Sequence, residues 1–306
     1  MNAAINFYKP PGMSSAQAVA FVKRLLGAKA GHAGTLDPEA AGVLVVLTGR
    51  ATRLCDDLMG GGKQYLAEIA FGAETDTQDA QGMVTQRGGP VPSEEDLAAA
   101  LPRFTGTSMQ TPPQYSALKT GGEAAYRLAR SGREAPLAAR EVWVGEIRLL
   151  RKTGADGYLL RVTCGKGTYI RTLCHDLGRS LGCPAHLRFL LREKSGDFLL
   201  RDAVTPEGLA RWAESGRPAG QAWLRPPLEA LAFMPRFAVP DELEKPAING
   251  VPLPVSRLEG EGTPPEGARV CLTLYGRLLG VFTRQGEAFR PSALMWEPGG
   301  QAGPGR

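Results

Sequence analysis

At 306 residues the chain is long enough to bury a sizeable core without covalent staples. Its five cysteines (Cys55, Cys164, Cys174, Cys183 and Cys271) are scattered with no C-x-x-C pair, which excludes a disulfide scaffold and zinc-finger spacing and predicts reduced, buried thiols. The formal charge is +5, but residues 1–100 hold 8 basic and 11 acidic side chains, residues 101–236 hold 21 and 12, and residues 237–306 hold 7 and 8. A central excess of nine positive charges, with Arg outnumbering Lys, suits a surface that follows a polyanion, although an ordinary solvated basic face has the same composition. The longest run of apolar residues and glycine, Ala40 to Leu47, is far below the ~20 residues of a membrane-spanning helix. No charged-then-apolar leader opens the chain, so a cytoplasmic protein is expected.

The elements follow in chain order. Ala3 to Tyr8 reads as a strand, broken by Lys9-Pro-Pro-Gly12. Ser14 and Ser15 are N-cap candidates for the amphipathic run AQAVAFVKRLLG, which Gly27 closes. GHAGTLDPEAAG is too rich in glycine to be regular, and VLVVLTG after it is a short buried segment whose type periodicity leaves open. Tyr65 to Phe71 alternates like a strand, and Ser93 to Leu101 reads as a capped helix. Gln110-Thr-Pro-Pro-Gln-Tyr115 must be extended, because two prolines cannot sit inside a helix. Glu141 to Leu150 and Tyr158 to Thr163 read as paired strands across the turn 154–157, and Tyr169 to Leu181 as a helix stopped by Gly182.

Beyond Pro235 a Pro/Gly-rich stretch leads into the strand-like pieces RVCLTLYG, RLLGVFTR and EAFRPSAL, predicting a separate small β domain over 237–296. The last ten residues, Glu297 to Arg306, have no apolar periodicity and predict a disordered tail. The expected class is α+β with a mixed or antiparallel sheet flanked by helices.

Several chemistries lack their signatures: there is no G-x-x-x-x-G-K-[ST], no G-x-G-x-x-G after a strand, no H-E-x-x-H and no G-x-S-x-G. Three histidines (His32, His175, His186) are too few and too dispersed for a metal site, and Cys174-His175-Asp176 reads as part of an ordinary helix. The most loaded stretch is Gly31 to Pro38, where small residues let backbone approach a ligand while His32 and Asp37 project. An Asp before Pro is commonly a turn former, so the residues alone leave the role of Asp37 open. Arg171, in the first turn of a helix, opposes the helix dipole unless an anion meets it, and Asp37 is a candidate for that anion.

KPPGMSS, GHAGTLDPEAAGVL with GRAT, KQYLAEIAFGAETDTQDAQG, QTPPQYSALKTGGEAAYRLARSG and CGKGTYIRTLCHDLGRSLGCPAHLRFLLR, in that order from Lys9 to Arg192, resemble the motifs of the TruB family, the bacterial tRNA pseudouridine-55 synthases. The resemblance implies a catalytic domain over 1–236, with an RNA-gripping insertion at about 104–140, and a PUA-like RNA-binding domain over 237–296. It implies isomerisation of a uridine in the TΨC stem-loop of tRNA by a monomer that needs no cofactor, no metal and no obligate protein partner.

On that resemblance Asp37 is the catalytic carboxylate, Arg171 the arginine that keeps it ionised, and Tyr65 the aromatic under the target base. Leu190 lines the pocket, His32 packs where the flipped nucleotide leaves its stack, and Lys119 and Arg127 meet phosphates. Lys9 and Pro10 match a rigid turn that supports the loop. Read singly, Tyr65 and Leu190 are equally core residues and Arg171 equally a helix-end ion pair. Two departures from the family pattern are Tyr8 before Lys9, where an acidic residue is common, and Val45, where proline is common. The competing readings are a non-catalytic RNA-binding or tRNA-folding protein and a guide-RNA-dependent pseudouridine synthase, against which the QTPPQYSALK block argues.

Overall fold

The computed structural model describes residues 1–296, so the expected tail from Glu297 to Arg306 lies outside the described residues. The chain opens with β1 (Ala3–Lys9) and α1 (Ser15–Leu26). Ser14 caps that helix reciprocally with Gln17, Gly27 ends it in the left-handed region at φ 63°, and Ala18, Val22 and Leu26 form its buried stripe. Then come β2 (Ala41–Thr48), β3 (Lys63–Phe71), α2 (Glu94–Ala100), β4 (Gly106–Gln110), β5 (Arg140–Lys152), β6 (Gly157–Cys164), α3 (Ile170–Ser180) and β7 (Ala185–Ser195).

These strands form one mixed sheet in the order β1-β2-β7-β3-β6-β5-β4, with the short strand Leu224–Arg225 outside β1 and Ala30–His32 also pairing with β2. Every neighbouring pair is antiparallel except β2 and β7, which run parallel. The helices and strands expected between Ala3 and Leu181 form where they were read, but GHAGTLDPEAAG, read as irregular, begins in the short strand Ala30–His32, and the segment 110–115, read as extended, bends at Gln114 and Tyr115. VLVVLTG, which periodicity left unassigned, is β2, and it is buried on both faces. Leu44 and Val46 enter the core under the helices, while Val43, Val45 and Leu47 enter a second core on the opposite face. Two-sided burial erases the alternation that would have marked it as a strand. The stretch expected to be an inserted RNA-gripping segment begins inside the sheet, because residues 106–110 are its edge strand β4, paired with Arg140–Val144.

The carboxy-terminal part contributes β8 (Arg236–Ala238), β9 (Arg269–Leu274), β10 (Arg277–Gln285) and β11 (Ala288–Leu294), within a six-stranded sheet. Phe237, Leu272, Phe282 and Phe289 give it a core of its own. Cys271, Val281, Ala293 and Met295 pack instead with Val43, Val45, Leu54 and Phe198 of the larger part. Arg269 also reaches across to the buried Asp57, its Nε 2.6 Å from Oδ1. Burial raises the pKa of that carboxylate, and Arg269 works against the rise. The 237–296 segment is therefore anchored on the back of the large sheet by a shared core. Among the described residues no helix is long and apolar enough to cross a membrane.

One glycine controls the geometry at the site end of the sheet. Gly42 has φ 110°, and a Cβ there would lie 2.3 Å from the backbone oxygen of Arg192, its parallel partner on β7. Gly42→Ala should therefore lower the melting temperature by about 6 °C or more, read by thermal unfolding. An unchanged melting temperature would show that β2 and β7 can part without cost.

Candidate active site

The site is built at one end of the sheet, where β1 and β6 finish, β2 and β3 begin and the helix α3 starts. The loop between His32 and Ala41 lies across this end and is fixed at nearly every residue. Lys9, fully buried, donates from Nζ to the carbonyls of Pro10 (2.9 Å), Met13 (2.6 Å) and Pro38 (2.8 Å). Burial pulls its pKa down to about 8, which still leaves the ammonium charged at neutral pH, with three donors for three acceptors. Ser15 Oγ donates to the Leu36 carbonyl and accepts from the Leu36 amide, both at 2.9 Å. Arg192 is 1 % exposed and donates to Val43 O (2.7 Å), Thr35 O (3.3 Å) and Gly34 O (3.0 Å). The expectation that Lys9 and Pro10 support the loop is matched in geometry: the lysine ties the turn to the residue after Asp37.

Asp37 projects from this frame with its side chain 36 % exposed. Arg171, 4 % exposed in the first turn of α3, donates from Nη2 to Oδ1 at 3.1 Å. Its Nε lies 2.9 Å from Oδ2, at an angle too bent for a hydrogen bond. The guanidinium also donates to Thr77 O (2.9 Å) and Tyr115 O (3.0 Å), and Asp79 Oδ2 stands 3.6 Å away. The helix start is held by Gln110 at the end of β4, which accepts from the Tyr169 amide at 2.8 Å and donates to the Tyr169 carbonyl at 3.0 Å. A buried cation at a helix N-terminus is unfavourable by itself, and the carboxylate of Asp37 supplies the missing anion.

A cleft of about 370 Å³ opens beside this pair, lined by Asp37, Tyr65, Arg171 and Leu190 among others. Tyr65 faces it from β3. Burial raises its pKa, while the charge and hydrogen-bonding pull of Arg192 oppose the rise, so the phenol stays neutral at the cleft wall. Four of the seven expected residues thus meet in one place. The other three do not line the cleft. His32 sits half-buried on the short strand that enters the loop, with Nδ1 buried and unpartnered among the described residues. Burial, and then Arg192, lower its pKa, which makes the imidazole neutral and suited to stacking. Lys119 and Arg127 are exposed beyond the cleft wall formed by Ser116 to Leu118. Cys174 points into the core with its thiol pushed up to about 12 by burial, while His175 beside it pairs with Asp176 and Glu74. That arrangement agrees with an ordinary helix.

Residue-by-residue reading passed over Lys63 and Arg192, both of which line the cleft. Their signal was strand periodicity: Lys63 is two residues before Tyr65 and Arg192 two after Leu190, so each faces the same way as a pocket residue.

Residues 23–170 match the TruB family pseudouridylate synthase N-terminal domain, and residues 171–231 match the tRNA pseudouridylate synthase B C-terminal domain. The chain belongs to the TruB family of pseudouridylate synthases. It is 46 % identical over 255 residues to the tRNA pseudouridine synthase B of Symbiobacterium thermophilum, covering 82 % of this chain and 83 % of that one. With the tRNA pseudouridine synthase B of a Chelativorans species it shares 40 % identity over 294 residues, 94 % of this chain and 93 % of the other. Among solved structures it is similar to an H/ACA RNP bound to a substrate RNA containing 2′-deoxyuridine, with TM-score 0.75, 26 % identity and 96 % and 85 % of the two chains covered. It is also similar to an archaeal box H/ACA sRNP Nop10–Cbf5 complex, with TM-score 0.74, 27 % identity and 95 % and 85 % covered.

The Lys9 anchor yields a test. Lys9→Met leaves three carbonyls without their donor and should cost at least about 2 kcal/mol in denaturant unfolding, because buried acceptors stripped of a partner retain their desolvation penalty. Unaltered unfolding would mean that water replaces the ammonium and that the loop is held elsewhere.

Proposed function

We propose that this synthase isomerises one uridine in the TΨC loop of tRNA, uridine 55, to pseudouridine, with Asp37 as the reacting carboxylate. The observation that carries the reading is the placement of Asp37: an ion-paired, partly exposed carboxylate at a cleft whose other walls are the Tyr65 ring and the Leu190 side chain. Isomerisation of uridine breaks the bond from N1 to C1′ and makes one from C5 to C1′, with one proton lost at C5 and one gained at N1. A carboxylate held in an ion pair with Arg171 can take the proton of C2′ or bond to C1′ as the base departs. A flat aromatic and an aliphatic side chain hold the uracil by stacking and contact while it turns, without fixing its edges.

To reach such a cleft a loop base must leave its stack, and the neutral ring of His32 at the head of the loop is placed to replace the lost stacking. The exposed Lys119 and Arg127 suit phosphates flanking that base. Similarity to H/ACA proteins raises the second reading, guide-RNA dependence. The same experiment separates the two.

Purified protein given an unmodified tRNA transcript, with no guide RNA and no other protein, should produce pseudouridine at one TΨC-loop position. Asp37→Asn should slow this by about 10⁴-fold or more while binding persists. Turnover by that variant would overturn the assignment of Asp37, and activity only with added guide RNA would favour the second reading. Lys119→Ala and Arg127→Ala should each weaken tRNA binding and reduce the slope of log K against log salt by about 0.7–0.9. A slope identical to that of the unaltered protein removes that side chain from the interface.

A further inference from the structure

The floor of the cleft carries positive charge that no neighbouring carboxylate matches. Lys63, 5 % exposed at the start of β3, donates from Nζ to the carbonyls of Met59 and, at 2.6 Å, Gly61. An ammonium has three donors, so one remains, and the side chain borders the cleft. Arg192 uses three of its five N–H groups on the carbonyls of Val43, Thr35 and Gly34 and also borders the cleft. Among the described residues no carboxylate oxygen lies within 4 Å of either cation, in contrast to Arg171, which has Asp37 and Asp79.

The two side chains come from neighbouring antiparallel strands, and Arg192 is the direct register partner of Tyr65, with Lys63 two residues along on the same face. Each feels the other: the charge of Arg192 adds to burial in pulling the Lys63 pKa down to about 8, which leaves it charged at neutral pH. The nearby Cys164 thiol is pushed up to about 11 by burial, so it offers no counter-charge. Two buried like charges without an anion are costly, and carbonyl dipoles offset only part of that cost.

We propose that Lys63 and Arg192 stabilise the negative charge that the target uracil acquires when its bond to ribose breaks. The inference rests on the uridine-isomerisation reading and adds to it the groups that make uracil a competent leaving group. The N1–C1′ bond breaks with its electron pair on N1, delocalised onto O2 and O4 of the ring. The sugar is left neutral by loss of the C2′ proton to Asp37 or by bonding of Asp37 to C1′, so on either course the detached base is an anion. It lies above Tyr65, next to the two cations, until C5 bonds to C1′. The carboxylate then gives back what it took, and the C5 proton is lost while N1 gains one. Fixed charges aimed at where charge develops act on the transition state more than on the neutral bound uridine.

The test uses the leaving group itself. Single-turnover conversion is measured on two tRNA transcripts, one with uridine and one with 5-fluorouridine at the target position, following loss of the N-linked nucleoside. Fluorine withdraws electrons and makes the departing base a weaker base, which needs less help. Lys63→Gln keeps donors for the Met59 and Gly61 carbonyls and removes the charge. It should slow uridine by about 10²-fold or more, slow 5-fluorouridine by less than a tenth of that factor, and leave the Kd for RNA unchanged within about threefold.

Lys63→Arg, which keeps the charge, should recover most of the uridine rate. Arg192→Gln, measured the same way, gives an independent second variant should Lys63→Gln fail to fold in a thermal melt. Equal slowing on both RNAs, or a loss confined to Kd, would overturn the inference and make these residues structural or phosphate-binding. Failure of the unaltered protein to convert either RNA would instead remove the uridine-isomerisation reading itself.

Discussion

Buried cations satisfied by backbone carbonyls hold this site together. Lys9 binds Pro38 O and two carbonyls of its own turn, and Arg192 binds Gly34 O and Thr35 O. Between them Ser15 exchanges two hydrogen bonds with Leu36. A glycine-rich loop has no periodic hydrogen bonds to fix it, so its shape must come from partners outside it. Here those partners fix the residues on both sides of Asp37, Leu36 and Pro38, while the carboxylate itself is left to Arg171. Rigidity at the backbone and partial exposure at the side chain are what a reacting group requires.

The same residues lie on one row of the sheet. Lys9 on β1 pairs with Gly42 on β2, and Gly42 pairs with Arg192 on β7, which in turn pairs with Tyr65 on β3. One row across four strands therefore runs from the loop anchor to the aromatic that lines the cleft. The single parallel pair in the sheet, β2 with β7, is what brings the second anchor under the loop, and the missing side chain of Gly42 lets the two backbones close. Burial of β2 on both faces ties this row to the carboxy-terminal sheet as well, since Val43 and Val45 share a core with Cys271 and Val281.

Charge is distributed with similar economy. Arg171 opposes a helix dipole and is balanced by Asp37 and Asp79. Among the described residues Lys63 and Arg192 have no carboxylate within ion-pair distance, and both line the cleft where the proposed chemistry would produce an anion. Lys119 and Arg127 lie exposed outside the cleft, apart from both of these arrangements. The net charge of the central segment blends all three uses, which is why composition alone could not separate a solvated face from a binding surface.

Much of this was legible in the amino-acid sequence. Local rules placed α1 through Ser14 and Gly27, α3 through Gly182, and the hairpin of β5 and β6 through its turn, because capping and turn geometry depend on residues a few positions apart. The glycine-rich loop drew attention to Asp37 and the helix dipole to Arg171, whereas Tyr65 was marked only by the resemblance of its block to the TruB family. Tertiary structure alone decided the rest. It made VLVVLTG a strand by burying both faces, drew residues 106–110 into the sheet edge, and left His32, Lys119 and Arg127 outside the cleft that Leu190 lines. It also set the geometry of the expected pair of Asp37 and Arg171, 134 positions apart, and brought Lys63 and Arg192, unremarked as basic residues, to the lining of the cleft. Contacts of that range depend on strand order and register, which no local pattern encodes.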